Sequence, residues 1–347
     1  MQLRDARLPA IYDPLIQSAL KKRGFSLDEP ARLADAVMKL SNFYLENPSA
    51  RTPWDETWAQ VASLVYFFPL NYSRNLLVAR ECLRLGFFEG LTSAVDDGAG
   101  MGSGVHAFKD LLSATDWVAR DIAPEALELL NELAPARVKT ENVVGSVRSK
   151  SGRQLLLASY VFTELKEIPR EWLDYEALII IEPATRDDAR RLQAERPKLI
   201  DAGFSLWAPC PHQQECPLLL SERDWCHDRV HFEASPWFMQ IEKLLPIKNR
   251  TLSFSYLAAR KTPSPVRDLS RLVGDTLDEK GKSRQALCRS SEREFLAWFP
   301  QRFKVKTKIE MSRGSLVRLA PDLEKRQQEV RLKEPGEVVE LATDEKI

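Results

Sequence analysis

Three cysteines crowd into APCPHQQECPLLLSERDWCHDRVHF as Cys210, Cys216 and Cys226, in a 347-residue chain that has five cysteines in all. A core can be filled by Leu or Val without sulfur, so thiols set among Pro, His and Trp point to metal ligation. Five residues separate Cys210 from Cys216, and nine separate Cys216 from Cys226. Structural zinc knuckles use about two to four intervening residues to present two thiolates to one tetrahedral ion. The looser gaps here suit a larger cluster held by an open loop, and Cys216-Pro217 matches the Cys-Pro pairing of ferredoxin-type loops. A four-iron cluster needs a fourth ligand, for which Cys288 in GKSRQALCRSS is the downstream candidate. Two metal readings stand: a [4Fe-4S] cluster on Cys210, Cys216, Cys226 and Cys288 that clamps two domains together, or zinc on cysteines with His212, His227 or His231. Cys82, inside ARECLRL on an apolar helical face, reads as a buried small hydrophobe.

A second constellation is AVDDGAGMGSG, with Gly98, Gly100 and Gly102 between a predicted strand and a predicted helix. Glycines allow a tight turn and a close backbone approach to a ligand. Asp121 follows about 20 residues on, at the end of the next predicted strand, where a carboxylate can accept hydrogen bonds from ribose hydroxyls. Loop and acid together fit an adenosine ligand. The acid-then-GxGxG form, with Asp96 just ahead of the loop, favours S-adenosylmethionine over a dinucleotide, because Asp96 would oppose a pyrophosphate and suit a methionine ammonium. His106 reads as a surface or packing residue.

These residues must be positioned by an α/β framework. Residues 1–90 place apolar side chains at helical spacing in PLIQSALKKRG, DEPARLADAVMKLSNFYL and ETWAQVASLVYFFPLNYSRNLLVARECLRLG, which predicts an N-terminal helical layer. From Leu91 short apolar runs alternate with helical segments: LTSAVDDGAG, TDWVARD, RQLLLASYV, EALIIIEP, FSLWAP and TLSFSYLA. That alternation predicts a doubly wound, mainly parallel Rossmann-like sheet over 91–262, with the cysteine-rich metal-binding loop as an insertion at 208–232. A small basic β module is expected over 263–322, followed by a charged, frayed tail at 323–347.

Net charge is zero, yet between Glu242 and Arg318 there are 18 Lys and Arg against 8 Asp and Glu, a surplus of 10. KGKSR (280–284) and RFKVKTK (302–308) alternate basic with small or apolar residues, so a strand there would present a positive face to an acidic partner such as RNA. No apolar run approaches the roughly 18 residues of a membrane span, and MQLRDARLPAIYDP lacks a signal pattern, so a cytoplasmic protein is expected, with no membrane and no DNA partner.

DDGAGMGSG, LLLASYVFTEL, IIIEPATRDDARRLQAERPKLIDAGF, APCPHQQECPL, DWCHDRVHF and FSYLAARK, in this order from about Leu91 to Lys261, resemble the methyltransferase-like proteins of the mitochondrial small ribosomal subunit and their bacterial relatives. The resemblance implies a class I methyltransferase fold, association with the small ribosomal subunit or its 16S-type rRNA, and a four-iron cluster on four cysteines. Cys210, Cys216 and Cys226 match that pattern directly, and Cys288 matches by its place in a β segment after a KGK turn. Two departures stand out: Ala184 replaces glycine in Glu182-Pro183-Ala184-Thr185, and Asp228 follows Trp225-Cys226-His227 where an aromatic is usual. Where base amino-methyltransferases carry an Asn-Pro-Pro-Tyr type motif, this chain has Ala158-Ser159-Tyr160-Val161, with no amide to hold an exocyclic amine; Tyr160 reads as a buried strand aromatic. A structured RNA-binding platform is therefore expected ahead of an active rRNA methyltransferase, and a zinc-containing methyltransferase without a ribosomal role is the third reading.

Overall fold

The computed structural model describes residues 5–47, 50–113, 115–134, 138–143, 153–165, 167–266, 268–304 and 308–341. The helical layer forms as its spacing predicts, from α1 (Tyr12–Lys22), α2 (Pro30–Glu46), α3 (Thr57–Ala62) and α4 (Phe68–Arg84). In α2, Leu33, Ala34, Val37 and Leu40 recur every turn and are buried, and Pro30 opens the helix where its missing N–H costs nothing. Between α3 and α4, Ser63–Phe67 forms one π turn in which Phe68 N bonds Ser63 O. The wider turn accommodates Pro69, which has no N–H and would clash in a regular ladder.

Among the described residues the main sheet has nine strands: β1 (Asp5–Ala6), β2 (Ser93–Asp97), β3 (Asp116–Asp121), β4 (Lys139–Asn142), β5 (Gln154–Ser159), β6 (Ala177–Glu182), β7 (Ser205–Ala208), β8 (Asp228–Phe232) and β9 (Thr251–Arg260). Their order is β1-β8-β9-β6-β5-β2-β3-β4, with β7 also on β9. Strands β2 to β6 pair in parallel, and β9 runs antiparallel to β6. Helices α5 (Ser103–Leu111), α6 (Pro124–Leu133), α7 (Arg186–Ala194), α8 (Arg196–Asp201) and α9 (Pro236–Lys243) connect them. Every residue of β6 is buried because both faces are covered. Ile179 and Ile181 join the core beneath the N-terminal helices, while Leu178 and Ile180 join Leu192 of α7 on the other face. The helical layer thus shares one core with the sheet. Chain order reverses between β2 and β5, which opens a crevice at their C-terminal ends. This is a doubly wound, Rossmann-like fold with an antiparallel strand, β9, beyond β6.

A second sheet carries its own core around Leu272, Leu296, Trp298 and Val330. It contains β10 (Ser270–Leu272), β11 (Leu277–Glu279), β12 (Lys282–Cys288), β13 (Glu294–Trp298), β14 (Leu316–Leu319), β15 (Glu324–Arg326), β16 (Glu329–Leu332) and β17 (Val338–Glu340), in the order β15-β16-β13-β12-β10-β14-β17, with β11 on β12. Two expectations are corrected here. The module does not stop at 322, and the tail from 323 is not frayed through its described part: β16 pairs with β13 and buries Val330 and Leu332, while β17 pairs with β14. The basic strand face is also largely neutralised, since Lys282 pairs with Glu279 and Glu329, and Arg284 with Glu279. In the 302–308 segment Arg302 closes a short 3-10 turn, and residues 305–307 lie outside the described residues.

A buried ion triad fastens helix α4 to the second sheet. Glu81 on α4 meets Arg84 one turn along at 2.6 Å and Arg271 of β10 at 2.5 Å.

Candidate cofactor cavity and cysteine cluster

The loop between β2 and α5 needs glycine for two reasons. Gly98, Gly100 and Gly102 adopt φ of +75°, +53° and +83°, and a Cβ would fall 2.6 Å from Val161 Cγ2 at position 98 and 2.5 Å from Leu130 Cγ at position 102. The loop forms one wall of a cavity of about 1040 Å³ that is also lined by Asp97, Asp121, Ser159 and Tyr160. Asp121 ends β3 on the cavity wall: Gly100 N donates to its Oδ2 at 2.8 Å, and Ala123 N to its Oδ1 at 2.9 Å.

Asp96 sits elsewhere. It is buried behind the loop, accepts from Val105 N in the first turn of α5 at 2.9 Å, and does not line the cavity; burial, with Asp97 and Asp121 nearby, pushes its carboxyl up to about 7. Asp97 lines the cavity instead, accepting from Trp172 Nε1 at 2.9 Å. Strand alternation is the reason: adjacent carboxylates point to opposite faces. His106 is a packing residue, buried against Tyr12 and Phe68 with Nε2 at 3.1 Å from Leu130 O.

Tyr160 departs from its expected strand position. Strand β5 ends at Ser159, and Tyr160 follows at φ 63°, left-handed for a bulky residue, on the cavity wall. Its hydroxyl is buried with no partner among the described residues. Glu182 fixes this turn, accepting from Phe162 N at 2.9 Å and Thr163 N at 3.1 Å. Burial raises the Glu182 carboxyl from 4.5 to about 8. A folded value above the unfolded one favours the protonated form, so its stabilisation is complete below about pH 4.5 and is lost as pH rises through about 8. Thermal melts of wild type and Glu182→Gln should therefore diverge between those limits, with the wild type losing more stability on the alkaline side; parallel pH profiles would refute this.

The cysteines converge from four places: after β7 (Cys210), at the head of the 3-10 turn Pro217–Leu220 (Cys216), just before β8 (Cys226), and at the end of β12 (Cys288). Cys216, Cys226 and Cys288 share one apolar cluster with Leu218 and Val273. Burial raises the Cys226 and Cys288 thiols, and neighbouring cysteines, Cys210 among them, raise both further. Cys82 lies apart in the core beneath α4, as its sequence suggests. Arg190 of α7 secures the loop by donating to the carbonyls of Ser221 (2.7 Å), Asp224 (2.9 Å), Leu218 (3.2 Å) and Leu219 (3.3 Å). Trp225 Nε1 donates to Ala184 O at 3.0 Å, so the loop touches the cavity wall at the residue that replaces glycine.

Among the described residues no group of three or more His, Cys, Asp or Glu is arranged to hold a metal ion. The chemistry around the thiols nonetheless fits an anionic group bound by cysteine. His227 stacks on Trp225 and accepts from Arg313 at 2.9 Å, and His231 pairs with Asp5 at 3.0 Å, so both are engaged elsewhere. His212 Nε2 faces Cys288 Sγ at 3.4 Å. Gln193 Nε2, Arg196 Nε and His212 Nδ1 are buried without partners among the described residues.

The family described as mitochondrial small ribosomal subunit Rsm22 matches residues 89–320, well over half of the chain. The chain belongs to the Rsm22 family. The match begins ahead of β2 and ends behind β14, so in this Rsm22-family chain it encloses the glycine loop and all four clustered cysteines. No curated protein matches the sequence significantly. Similar solved structures include a putative RNA methyltransferase from Pyrococcus horikoshii (16% identity, TM-score 0.33, covering 55% of this chain and 81% of that one). The plantazolicin methyltransferase BpumL, in complex with SAH and a triazolic desmethylPZN analog, gives 12%, 0.35, 71% and 100%, and the METTL16 MTase domain 10%, 0.34, 56% and 68%. Among the described residues no helix is long and apolar enough to cross a membrane.

Proposed function

We propose that this Rsm22-family chain binds S-adenosylmethionine at the 98–102 loop and acts with the small ribosomal subunit and its rRNA. In this reading a [4Fe-4S] cluster on Cys210, Cys216, Cys226 and Cys288 braces the second sheet against the first. The observation that carries it is that one family match encloses both sites: a glycine-lined cavity with Asp121 on its wall, and four buried cysteines, of which Cys288 comes from the second sheet. When bound, such a cluster supplies a covalent cross-link and a one-electron couple. The protein's own part is to exclude water around the thiols, hold the loop through Arg190, and fix Asp121 on the cavity wall through Gly100 N and Ala123 N.

A second reading, methyl transfer to RNA, is favoured by Tyr160, whose left-handed backbone and unpartnered hydroxyl on the cavity wall are the kind of stored strain found at reactive sites. Ser159 and Tyr160 offer no amide for an exocyclic amine, so the platform reading stands first.

Calorimetry and co-sedimentation test the proposal. Wild type should bind S-adenosylmethionine, and Asp121→Ala should weaken binding at least about tenfold, about 1.4 kcal/mol. Binding to small ribosomal subunits should fall steeply between about 50 and 200 mM salt if phosphate contacts carry it. No heat with wild type would end the cofactor assignment, and a salt-insensitive complex would end the RNA assignment.

A further inference from the structure

A guanidinium buried without a carboxylate demands an explanation, because an isolated charge removed from water is costly unless something opposes it. Arg196, the first residue of α8, is 2% exposed. One of its terminal nitrogens donates to His212 O at 3.1 Å, its Nε has no partner, and no carboxylate lies in ion-pair reach of it among the described residues. The carbonyl it bonds belongs to the residue two past Cys210, and the ring Nε2 of that same residue faces Cys288 Sγ at 3.4 Å, which sets the guanidinium beside the cysteine loop. Three residues earlier on the same side, Gln193 is 1% exposed; its Oε1 lies 3.8 Å from Cys210 Sγ, and its Nε2 is a buried N–H donor without a partner. Four neutral thiols would leave the Arg196 charge unopposed and Gln193 Nε2 without an acceptor. An anionic group would oppose the charge.

We propose that Arg196, supported by Gln193, is the counter-cation of the four-cysteine site, opposing the net negative charge of a thiolate-bound group and raising its reduction potential. The inference rests on the cluster reading above and goes further, assigning to two residues that are not ligands the control of the site's charge. A fixed positive charge beside a cluster favours the reduced, more negative state, and charge and hydrogen bonding to the sulfurs are among the terms that set cluster potentials.

The test uses the full chain reconstituted anaerobically with ferrous iron and sulfide, followed by electron paramagnetic resonance at fixed redox poise. At the wild-type midpoint, Arg196→Leu should lower the ratio of reduced to oxidised cluster at least tenfold, equivalent to about 59 mV for a one-electron couple. Arg196→Lys, which keeps the charge, should stay within about threefold of wild type. Gln193→Glu, which adds negative charge beside Cys210, should shift the ratio in the same direction as Arg196→Leu and decides the matter if the leucine variant does not fold. A wild-type chain that takes up no iron overturns the cluster reading and this inference with it. Iron-loaded variants that titrate with the wild type overturn the inference alone.

Discussion

Replacing Cys288 by serine should strip the reconstituted protein of its iron and loosen the second sheet from the first. Among the four clustered cysteines, Cys288 alone comes from the second sheet, at the end of β12, where it packs with Cys216 and Cys226 around Leu218 and Val273. A serine oxygen is a harder and weaker ligand for iron than thiolate, so a four-cysteine site with one serine should retain less than one iron per chain where wild type retains about four. Ligand binding to the folded state is also folding free energy, so the loss should appear as a lower unfolding midpoint and faster proteolytic cleavage between the sheets. Cys82→Ser is the internal control: that thiol is packed in the core beneath α4, and its replacement should leave the iron in place. Full iron and sulfide content in Cys288→Ser would remove this cysteine from the proposed set.

Glu81→Leu should destabilise the protein by about 3–5 kcal/mol, the range for removing one partner of a buried ion pair. Glu81 bonds Arg84 Nε at 2.6 Å and Arg271 at 2.5 Å, and all three side chains are at most 5% exposed. Without the carboxylate two guanidinium groups face each other in a dry interface. In the wild type burial disfavours the Arg271 charge and Glu81 offsets that; with Glu81 gone the intrinsic basicity of a guanidinium still keeps the proton, so the charge is not shed to relieve the loss. Exchanging Glu81, Arg84 and Arg271 together for apolar residues of similar volume should restore much of the stability, because the desolvation cost then disappears with the charges. Urea denaturation of the single and triple variants measures both effects, and a single variant within about 1 kcal/mol of wild type would show that the triad does not fasten α4 to the second sheet.

Local patterns explain which parts of this architecture were legible in advance. Helices α1 and α2 follow from apolar residues recurring every turn, and β5 and β6 from short apolar runs bounded by turns, because one buried face imposes its period on the side chains. Strands β4, KTEN, and β15, EKR, were missed for the complementary reason: they are exposed or half-buried and polar, and only backbone pairing with a neighbour makes them strands. The basic alternation in 302–308 is no guide at its start, where Arg302 ends a 3-10 turn; residues 305–307 lie outside the described residues.

The candidate sites divide in the same way. Residue type and short spacing sufficed to single out Gly98, Gly100, Gly102 and Asp121, because a tight turn and the acid that bonds Gly100 N are built from consecutive segments of one βαβ unit. The same reasoning found the four cysteines, since thiols are rare in this chain and few roles need them. It could not tell Asp96 from Asp97, which differ only in the face of β2 they occupy, nor find Arg196 and Gln193, two polar residues in a charged helical stretch that stand out only once burial leaves the first without a carboxylate and sets the second against Cys210. Arg271 and Glu81 are 190 positions apart, and no periodicity connects them. The amino-acid order by itself thus determined the element types, the glycine loop with its acid, and the candidate metal ligands, all of which follow from local sterics and side-chain chemistry. Which carboxylate enters the cavity, which cations are neutralised, and which charges are buried without partners were decided only by tertiary packing, because desolvation depends on what surrounds a group in space and not on its neighbours along the chain.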